Sequence, residues 1–227
     1  MNTMESTRHT AEILMEHSVA GVKDVHGVTF DGRDVWFAHG DGGEVVRIDP
    51  ETGARRGALH VSGADAGVAF DGVHLWVIAG KQIHRVDRET GAIERSIPTP
   101  EGASVSGLAF HGDALWVGDF RGKKLHKLDA KTGAVLRTIE SDRFVTGVSF
   151  SDDELWHGTY EGEGDDVRTE LRRIDATSGE VQEVVTFPPG AVISGVEATT
   201  DRIFCGDHRA GKIRVVRRPR MTRAQRG

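Results

Sequence analysis

A short unit that recurs every 40 residues constrains the fold of this chain more than any other feature. Each copy is a glycine, a branched apolar residue, a small residue and a phenylalanine, and a tryptophan follows at a fixed offset. The four copies begin at Gly27, Gly67, Gly107 and Gly147, and their tryptophans are Trp36, Trp76, Trp116 and Trp156. A fifth, degenerate copy begins at Gly195, with Phe204 in place of the tryptophan. A period of about 40 residues is typical of β-propeller blades.

The third copy indicates what one repeat forms. Four short segments, 107–110, 114–118, 124–128 and 134–139, are separated by turns rich in Gly and Asp. Segment 124–128 mixes polar and apolar positions in the rough alternation of a half-buried strand. The turn before the last segment is Asp-x-x-Thr-Gly, with Asp at its start and Gly at its left-handed position. The same turn follows Asp49, Asp87 and Asp129, with a variant after Asp175. Each repeat therefore predicts four antiparallel strands.

The two ends of the chain predict how the ring closes. The fifth repeat ends after residues 212–216 without an outermost strand, and segment 10–15 resembles 132–137 of the third repeat. Ring closure matters because an open ring exposes an unpaired sheet edge. We therefore predict an all-β, five-bladed β-propeller with four antiparallel strands per blade, closed by the N-terminal strand pairing into the last blade. The expected division is a flexible N-terminus over 1–9, a single propeller over 10–217 and a basic disordered tail over 218–227.

Composition narrows the classes of partner. The formal net charge of −6 gives no basic surface for nucleic acid. Cys205 is the only cysteine, which excludes an internal disulfide, and its apolar neighbours indicate a buried core position. No apolar segment is long enough to span a bilayer, and no secretory signal begins the chain. We expect a cytoplasmic monomer or small homo-oligomer that binds neither nucleic acid nor membrane.

The blade pattern Gly-x-x-Phe-x-Gly-x-x-x-Trp-Val, then Leu-x-x-Leu-Asp-x-x-Thr-Gly, resembles that of the NHL, YncE, virginiamycin B lyase-like and gluconolactonase-like propellers. The resemblance covers nearly the whole chain. Its residues are structural, because the Trp is expected between blades and the Asp-Thr-Gly closes a turn. For function it implies lyase or hydrolase chemistry, often supported by a metal. The chain is also similar in size to the five-bladed glutaminyl cyclases, but it lacks the Glu-rich strand ends that mark those enzymes.

A ligand site is expected on one rim of the propeller, where the loops that enter the innermost strands meet the loops between second and third strands. Functional residues there should break the repeat. Glu197 stands where the other copies have Thr29, Ala69, Ala109 and Ser149, small residues that fit a crowded axis. A carboxylate in a cleft is a candidate catalytic residue. The alternative is a structural Glu, paired with an Arg or satisfied by backbone amides.

Two histidines are further catalytic candidates, because imidazole exchanges protons near neutral pH. His26 precedes the leading glycine at a position where the other copies have only Ala, Ser or Thr. His157 replaces an apolar residue next to Trp156. The alternatives are a surface histidine at 26 and a core histidine with one hydrogen bond at 157.

Three residues that follow the tryptophan positions at one offset are candidate metal ligands: His39, Asp119 and Asp207. Together with Glu197 and His26 they would offer a ring of oxygen and nitrogen donors suited to Mg, Mn or Zn. Alternatively, Asp119 and Asp207 only begin turns, where Asp is favoured.

The rim loops supply candidate substrate-binding residues. Arg121 and Arg209 occupy equivalent loops of the third and fifth repeats and could clamp a carboxylate or phosphate, or pair with nearby acids. Tyr160 and His208 lie in the same class of loop. Segment 161–166, part of the one long insertion, could fold over the channel as a lid, or be a solvated loop without a task.

Of two functions that the sequence leaves open, we predict the first. The first is a small-molecule enzyme with its site at the channel mouth, using lyase or hydrolase chemistry with or without a divalent cation. The second is a non-catalytic propeller that binds a ligand or another protein. Glu197 on a crowded axis favours the first, and the lack of a complete catalytic motif favours the second.

Overall fold

A computed structural model describes residues 6–40 and 42–219. Two strands come first in the chain and belong to its last two blades: β1 (Thr7–Thr10) and β2 (Ile13–Ser18). Blade one is β3 (Val28–Phe30), β4 (Val35–His39), β5 (Glu44–Ile48) and β6 (Arg55–His60). Blade two is β7 (Ala64–Phe70), β8 (Leu75–Ala79), β9 (Gln82–Val86) and β10 (Ile93–Pro98).

The remaining blades follow in chain order. Blade three is β11 (Val105–His111), β12 (Ala114–Asp119), β13 (Lys124–Asp129) and β14 (Val135–Glu140). Blade four is β15 (Phe144–Ser151), β16 (Glu154–Glu161), β17 (Arg168–Ile174) and β18 (Val181–Thr186), with a 3-10 turn at Gly164–Asp166. Blade five is β19 (Ile193–Ala198), β20 (Arg202–Asp207) and β21 (Lys212–Arg217), completed by β2. The predicted all-β, five-bladed propeller is confirmed.

The repeated aromatic residue packs between blades, as the sequence predicts. Trp36 of blade one lies in one apolar cluster with Val68 and Leu75 of blade two. The same step recurs around the ring, and the last one joins blade five to blade one, where Phe204 packs with Val35 and Phe37. The core is therefore a series of interfaces between neighbouring sheets rather than one central cluster.

The leading glycines set how closely the innermost strands approach. A Cβ atom on Gly147 would lie 2.5 Å from the amide nitrogen of Val196, and one on Gly67 would lie 2.6 Å from that of Leu108. Both distances are far below van der Waals contact, so only glycine permits this spacing. Gly27, Gly107 and Gly195 make equivalent approaches, which brings five inner strands into direct contact around the axis.

The N-terminal strand closes the ring, as predicted. β2 pairs antiparallel with β21, from Ile13 opposite Val216 to Ser18 opposite Lys212. The strand lies three residues later in the chain than the predicted segment 10–15. Every blade thus has four antiparallel strands, and in blade five β2 supplies the outermost strand that the C-terminal part of the chain lacks.

Blade four carries an additional strand that the repeat did not predict. β1 pairs in parallel with β18, with Thr7 opposite Glu183 and Thr10 opposite Thr186, so the described sheet begins before the boundary placed at residue 10. At the other end, Arg218, the first residue of the predicted tail, is buried and donates hydrogen bonds to Glu154 and Asp152. Residues 220–227 of that tail lie outside the described residues.

The predicted turns and the cysteine position are also observed. In each Asp-x-x-Thr-Gly turn the Asp carboxylate accepts backbone N–H groups two and three residues on, for example from Glu51 and Thr52 at Asp49. Gly53 closes that turn at φ +69°. Cys205 is fully buried, and burial raises the pKa of its thiol. Across the described residues, no helix is long and apolar enough to cross a membrane.

Candidate functional site

One cavity of about 740 Å³ opens at the rim where the innermost strands begin. Every blade contributes to its wall. The first residues of the inner strands and the loops that lead into them supply Lys23, Asp24, His26, Asp65, Ala66, Ser104, Val105, Ser106, Thr146, Val192, Ile193 and Ser194. The ends of the second strands and the loops that follow them supply Phe120, Tyr160, His208 and Arg209. The predicted rim therefore holds a cavity within the size range of small-molecule sites.

A bulge in the inner strands turns the residue before each leading glycine toward this cavity. In β11 the pairing with β12 shifts between Val105 and Leu108, and in β15 the pairing with β16 shifts between Val145 and Val148. A bulge bends its strand and re-aims a side chain. Ser106, Thr146 and their equivalents Ala66 and Ser194 consequently line the cavity, and His26 takes the corresponding place in blade one.

His26 lies on the polar wall of the cavity, beside Asp24 and His208. Its Nε2 atom is 3.4 Å from Oδ1 of Asp24, and its ring centroid is 5.1 Å from that of His208. The amide of Gly40 donates a 2.6 Å hydrogen bond to the same Asp24 oxygen. Asp24 is thus held by the backbone while its carboxylate faces an imidazole, an arrangement that orients a general base.

The opposite part of the cavity is aromatic. Phe120 stacks on Phe144 with ring centroids 4.9 Å apart, and Tyr160 tilts against Phe120 at 5.9 Å. Such stacked rings present a large apolar surface with defined geometry. The cavity therefore has a charged, histidine-bearing wall from blades one and five and an aromatic wall from blades three and four.

Two of the three serines in the cavity wall, Ser106 and Ser194, have their hydroxyls engaged. Ser106 Oγ donates to the carbonyl of Val145 at 2.8 Å, and Ser194 Oγ donates to the carbonyl of Val25 at 2.5 Å. Each bond ties the inner strand of one blade to the next. A hydroxyl that serves this purpose is not poised as a nucleophile, because activation requires a base at its proton.

The predicted substrate-binding residues lie at different distances from the cavity. Tyr160, His208 and Arg209 line it, whereas Arg121 is exposed and does not. Arg209 Nη2 donates to the carbonyl of Gly164 at 3.0 Å. This bond fastens the blade-five loop to the insertion of blade four, the segment considered as a lid.

Glu197 does not belong to the mouth cavity, contrary to its prediction as a catalytic residue there. It is two residues beyond Gly195, past the level at which the glycines bring the inner strands together, and it is not part of the cavity wall. Its neighbours are Ser149, whose Oγ lies 3.5 Å from Oε2, and Thr29. Desolvation raises the pKa of Glu197 to about 8.

His157 is likewise placed away from the mouth. It is 2% exposed, and its Nδ1 atom is 3.1 Å from the carbonyl oxygen of Gly158. It adjoins a separate cavity of about 220 Å³ beside Asp142 and Arg172. Desolvation lowers the pKa of His157 to about 4, so the ring is neutral near pH 7. His157 is therefore a core histidine with one hydrogen bond, which was the alternative interpretation, and it is not a general base at the rim.

The three predicted metal ligands do not form a metal site. Asp119 Oδ1 accepts the amides of Ser104 and Gly122, at 2.9 and 3.0 Å. Asp207 likewise accepts a backbone amide, and its other oxygen binds Arg214 at 2.8 Å. The two aspartates therefore have the turn role that was the alternative.

The third predicted ligand, His39, is also committed to another partner. Its Nε2 is 2.6 Å from Glu44, a contact that together with Arg55 lowers the pKa of that carboxyl. No group of three or more His, Cys, Asp or Glu side chains that could hold a metal ion occurs within 6–40 and 42–219. The donor set therefore does not fit the cation that the family resemblance implies.

Sequence reasoning missed four charged or aromatic residues of the cavity wall: Lys23, Asp24, Asp65 and Phe120. Asp65 had a clear signal, because it interrupts a column of apolar residues two places before each leading glycine (Val25, Val105, Val145 and Ile193). Lys23, Asp24 and Phe120 lie where no single residue type is shared by all the copies, so alignment of the repeats gives no expectation against which they stand out.

Comparison with solved structures supports the propeller fold. No protein-family profile and no curated protein sequence matches this chain. Among solved structures it is similar to glutaminyl cyclase of Myxococcus xanthus, at a TM-score of 0.76 and 16% identity over 94% of this chain and 98% of that one. It also matches virginiamycin B lyase of Staphylococcus aureus at a TM-score of 0.49 and 17% identity, over 90% and 70% of the two chains. At such identity the first likeness establishes the propeller fold alone.

Proposed function

We propose that this protein is an enzyme that binds a small organic molecule in the mouth cavity and acts on it by proton transfer, in a lyase or hydrolase reaction. The observation that carries the proposal is the contact between His26 and Asp24 on the cavity wall, with His208 beside it. A general base needs an imidazole positioned at the substrate cavity, and His26 is the one predicted catalytic residue that lines it.

The two walls of the cavity support a substrate with two chemical parts. Phe120 and Tyr160 would hold an aromatic or apolar group by stacking. Lys23 and Arg209 would bind a carboxylate or phosphate at the other end, next to the histidines. A molecule with a ring at one end and an anionic group at the other satisfies both walls.

The residues have distinct roles in this proposal. His26 would take a proton from the substrate or from a water molecule, while Asp24 holds the ring and stabilises the charge that forms. In an elimination, the electron pair of the broken C–H bond forms the double bond as the leaving group departs. His208 would return a proton to that group. No step is assigned to a metal, because the carboxylates described near the cavity do not form a binding group.

The proposal is tested by incubating the protein with pools of small aryl and alkyl acids, esters and lactones, and following their consumption by mass spectrometry. We expect at least one compound to be consumed. His26→Asn should then lower kcat by about 100-fold or more, without a change in Tm. His60→Asn is the matched control, because His60 is exposed on the outermost strand of blade one. Consumption by His26→Asn at the rate of the unaltered protein would refute the role of His26.

A non-catalytic binding propeller is the second candidate. It is favoured by Ser106 and Ser194, whose hydroxyls are bound to backbone carbonyls instead of a base. Ligand-observed NMR on the same pools separates the two functions. Compounds that bind in the cavity but are never consumed would establish binding alone.

A further inference from the structure

The indole nitrogen of the repeated tryptophan has an internal acceptor in three of its four copies. In each case the acceptor is a carboxylate close in sequence on the turn rim, opposite the mouth cavity. The bonds are Trp36 Nε1 to Asp31 Oδ2 at 2.9 Å, Trp76 Nε1 to Asp71 Oδ2 at 2.9 Å, and Trp156 Nε1 to Glu154 Oε2 at 3.0 Å. The repeat thus pairs its buried indole N–H with a carboxylate from one of two nearby positions.

Blade three breaks this rule at both positions. His111 stands where blades one and two have Asp31 and Asp71, and Ala114 stands where blade four has Glu154. Trp116 is 2% exposed, and its Nε1 atom has no hydrogen-bond partner in the described part of the chain. Buried donors are almost always satisfied, so an unpaired one indicates a partner from outside the chain.

The unpaired indole belongs to a cavity of about 240 Å³ between blades three and four. Two cations line the cavity, Lys127 and Arg137. Lys127 Nζ lies 5.9 Å from the Trp116 ring centroid, and Arg137 donates to the carbonyl of Thr177 at 2.5 Å. None of the described residues that line the cavity is acidic. His111, stacked on Phe150 at 3.8 Å, forms an aromatic wall.

We propose that this cavity is a binding site for a small organic monocarboxylate. Its carboxylate would accept the Trp116 Nε1–H and pair with Lys127 or Arg137, as a substitute for the side chain that the other blades supply. Blade one shows the same combination within the chain, because Asp31 Oδ2 binds both Trp36 and Arg88, the latter at 3.3 Å from the next blade. The volume suits a ligand smaller than a typical drug molecule.

The chemistry of the site favours a carboxylate over other anions. All three internal partners of the equivalent indoles are carboxylates. The aromatic wall of His111 and Phe150 would cover the carbon part of the ligand, for which an inorganic anion has no counterpart. The site is on the rim opposite the mouth cavity, so it does not depend on the proposed function.

The test is a titration of the protein, labelled with nitrogen-15 at tryptophan, with sodium benzoate, sodium acetate and inorganic phosphate. Sodium chloride at matched ionic strength is the control. Four indole signals are expected, and Trp116→Phe identifies the one of interest. We expect benzoate to shift the Trp116 signal saturably and the other three little. An unchanged signal, an equal response to sodium chloride, or saturation by phosphate alone would overturn the proposal.

Two variants make the test specific. His111→Asp restores the acceptor of blades one and two, so it should abolish the saturable shift and raise Tm. Lys127→Met keeps the indole unpaired but removes a cation, so half-saturation should need about tenfold more benzoate. If the His111→Asp variant binds benzoate with the same half-saturation concentration as the unaltered protein, the ligand lies elsewhere and the proposal is wrong.

Discussion

Ser149 Oγ lies 3.5 Å from Glu197 Oε2 at the crowded axis of the propeller. The same hydroxyl accepts a 2.9 Å hydrogen bond from the amide of Ala198, so it joins the inner strands of blades four and five. Burial in this environment raises the pKa of Glu197 to about 8, opposed by the hydrogen bonds from Ser149 and Thr29. The Glu197 carboxyl is therefore protonated and neutral over much of the physiological pH range. It contacts residues of the neighbouring blades and has a structural role at the axis.

Glu197 should make stability fall as pH rises. The unfolded chain ionises this carboxyl near its ordinary pKa of 4.5, whereas the folded protein retains the proton up to a pKa of about 8. The unfolded state thus binds fewer protons in this window, and the free energy of unfolding decreases with pH across it. Glu197→Gln removes the effect. The side chain keeps some exposure, which weakens the effect. We therefore expect the free energy of unfolding of the variant to exceed that of the unaltered protein by only about 2 kcal/mol at high pH.

Urea unfolding at about pH 5 and about pH 9 measures this difference, which should be small at the lower pH and larger at the higher. Glu101→Gln is the matched control, since Glu101 is exposed in a turn of blade two. A difference between Glu197→Gln and the unaltered protein that does not change with pH would show that the carboxyl does not titrate as inferred.

Gly147→Ala should destabilise the ring at its narrowest level. The added Cβ would lie 2.5 Å from Val196 N and 2.7 Å from Val196 Cγ2, so the inner strands of two blades would have to separate. Overpacking of this kind costs about 3 kcal/mol. Gly42→Ala is the control, because a Cβ there meets nothing within 4 Å. Thermal unfolding compares the two, and equal Tm values would contradict the close approach.

Removal of β2 should open the ring. A chain that begins at residue 20 leaves β21 without its antiparallel partner and exposes an unpaired edge in blade five. We expect it to lose cooperative unfolding. A chain that begins at Ala11 is the control, because it lacks only β1, the parallel strand added to blade four. A chain beginning at residue 20 with an unchanged Tm would refute closure by β2.

Arg218 should stabilise the protein much more than its neighbour Arg217. The Arg218 side chain is 6% exposed and donates to Glu154 at 2.5 Å and to the carbonyl of Thr199 at 2.5 Å. Arg218→Ala leaves the half-buried Glu154 carboxylate with only the more distant Arg173, at 3.9 Å, as a cation, and we expect a cost of about 2 kcal/mol. Arg217 is 52% exposed beside Glu12, so Arg217→Ala should cost less than about 1 kcal/mol. Denaturant unfolding measures both, and a similar loss in the two variants would be inconsistent with this difference.

The repeat predicts blades well and the site only in part. The leading Gly marks the closest backbone approach in all five copies, and the Trp, or Phe204 in the fifth copy, marks the interface between blades. Both features depend on local shape, which the sequence of each repeat specifies. Functional side chains depend also on the direction in which a strand end faces. Glu197 and His26 both break the repeat, but the ring of glycines separates them, and that separation exists only once five strands meet. His26 alone of the three catalytic candidates faces the cavity.

The strand pair that closes the ring also has a consequence for how the protein is made. β2 contains residues 13–18 and its partner β21 contains residues 212–217, so all the strands of blades one to four must be synthesised between them before they can meet. Blades one to four can form in order as they leave the ribosome, since their strands are consecutive. β2 has to stay unpaired during that time. We therefore expect β2 to need protection in the nascent chain, and stalled translation to release an open, aggregation-prone ring.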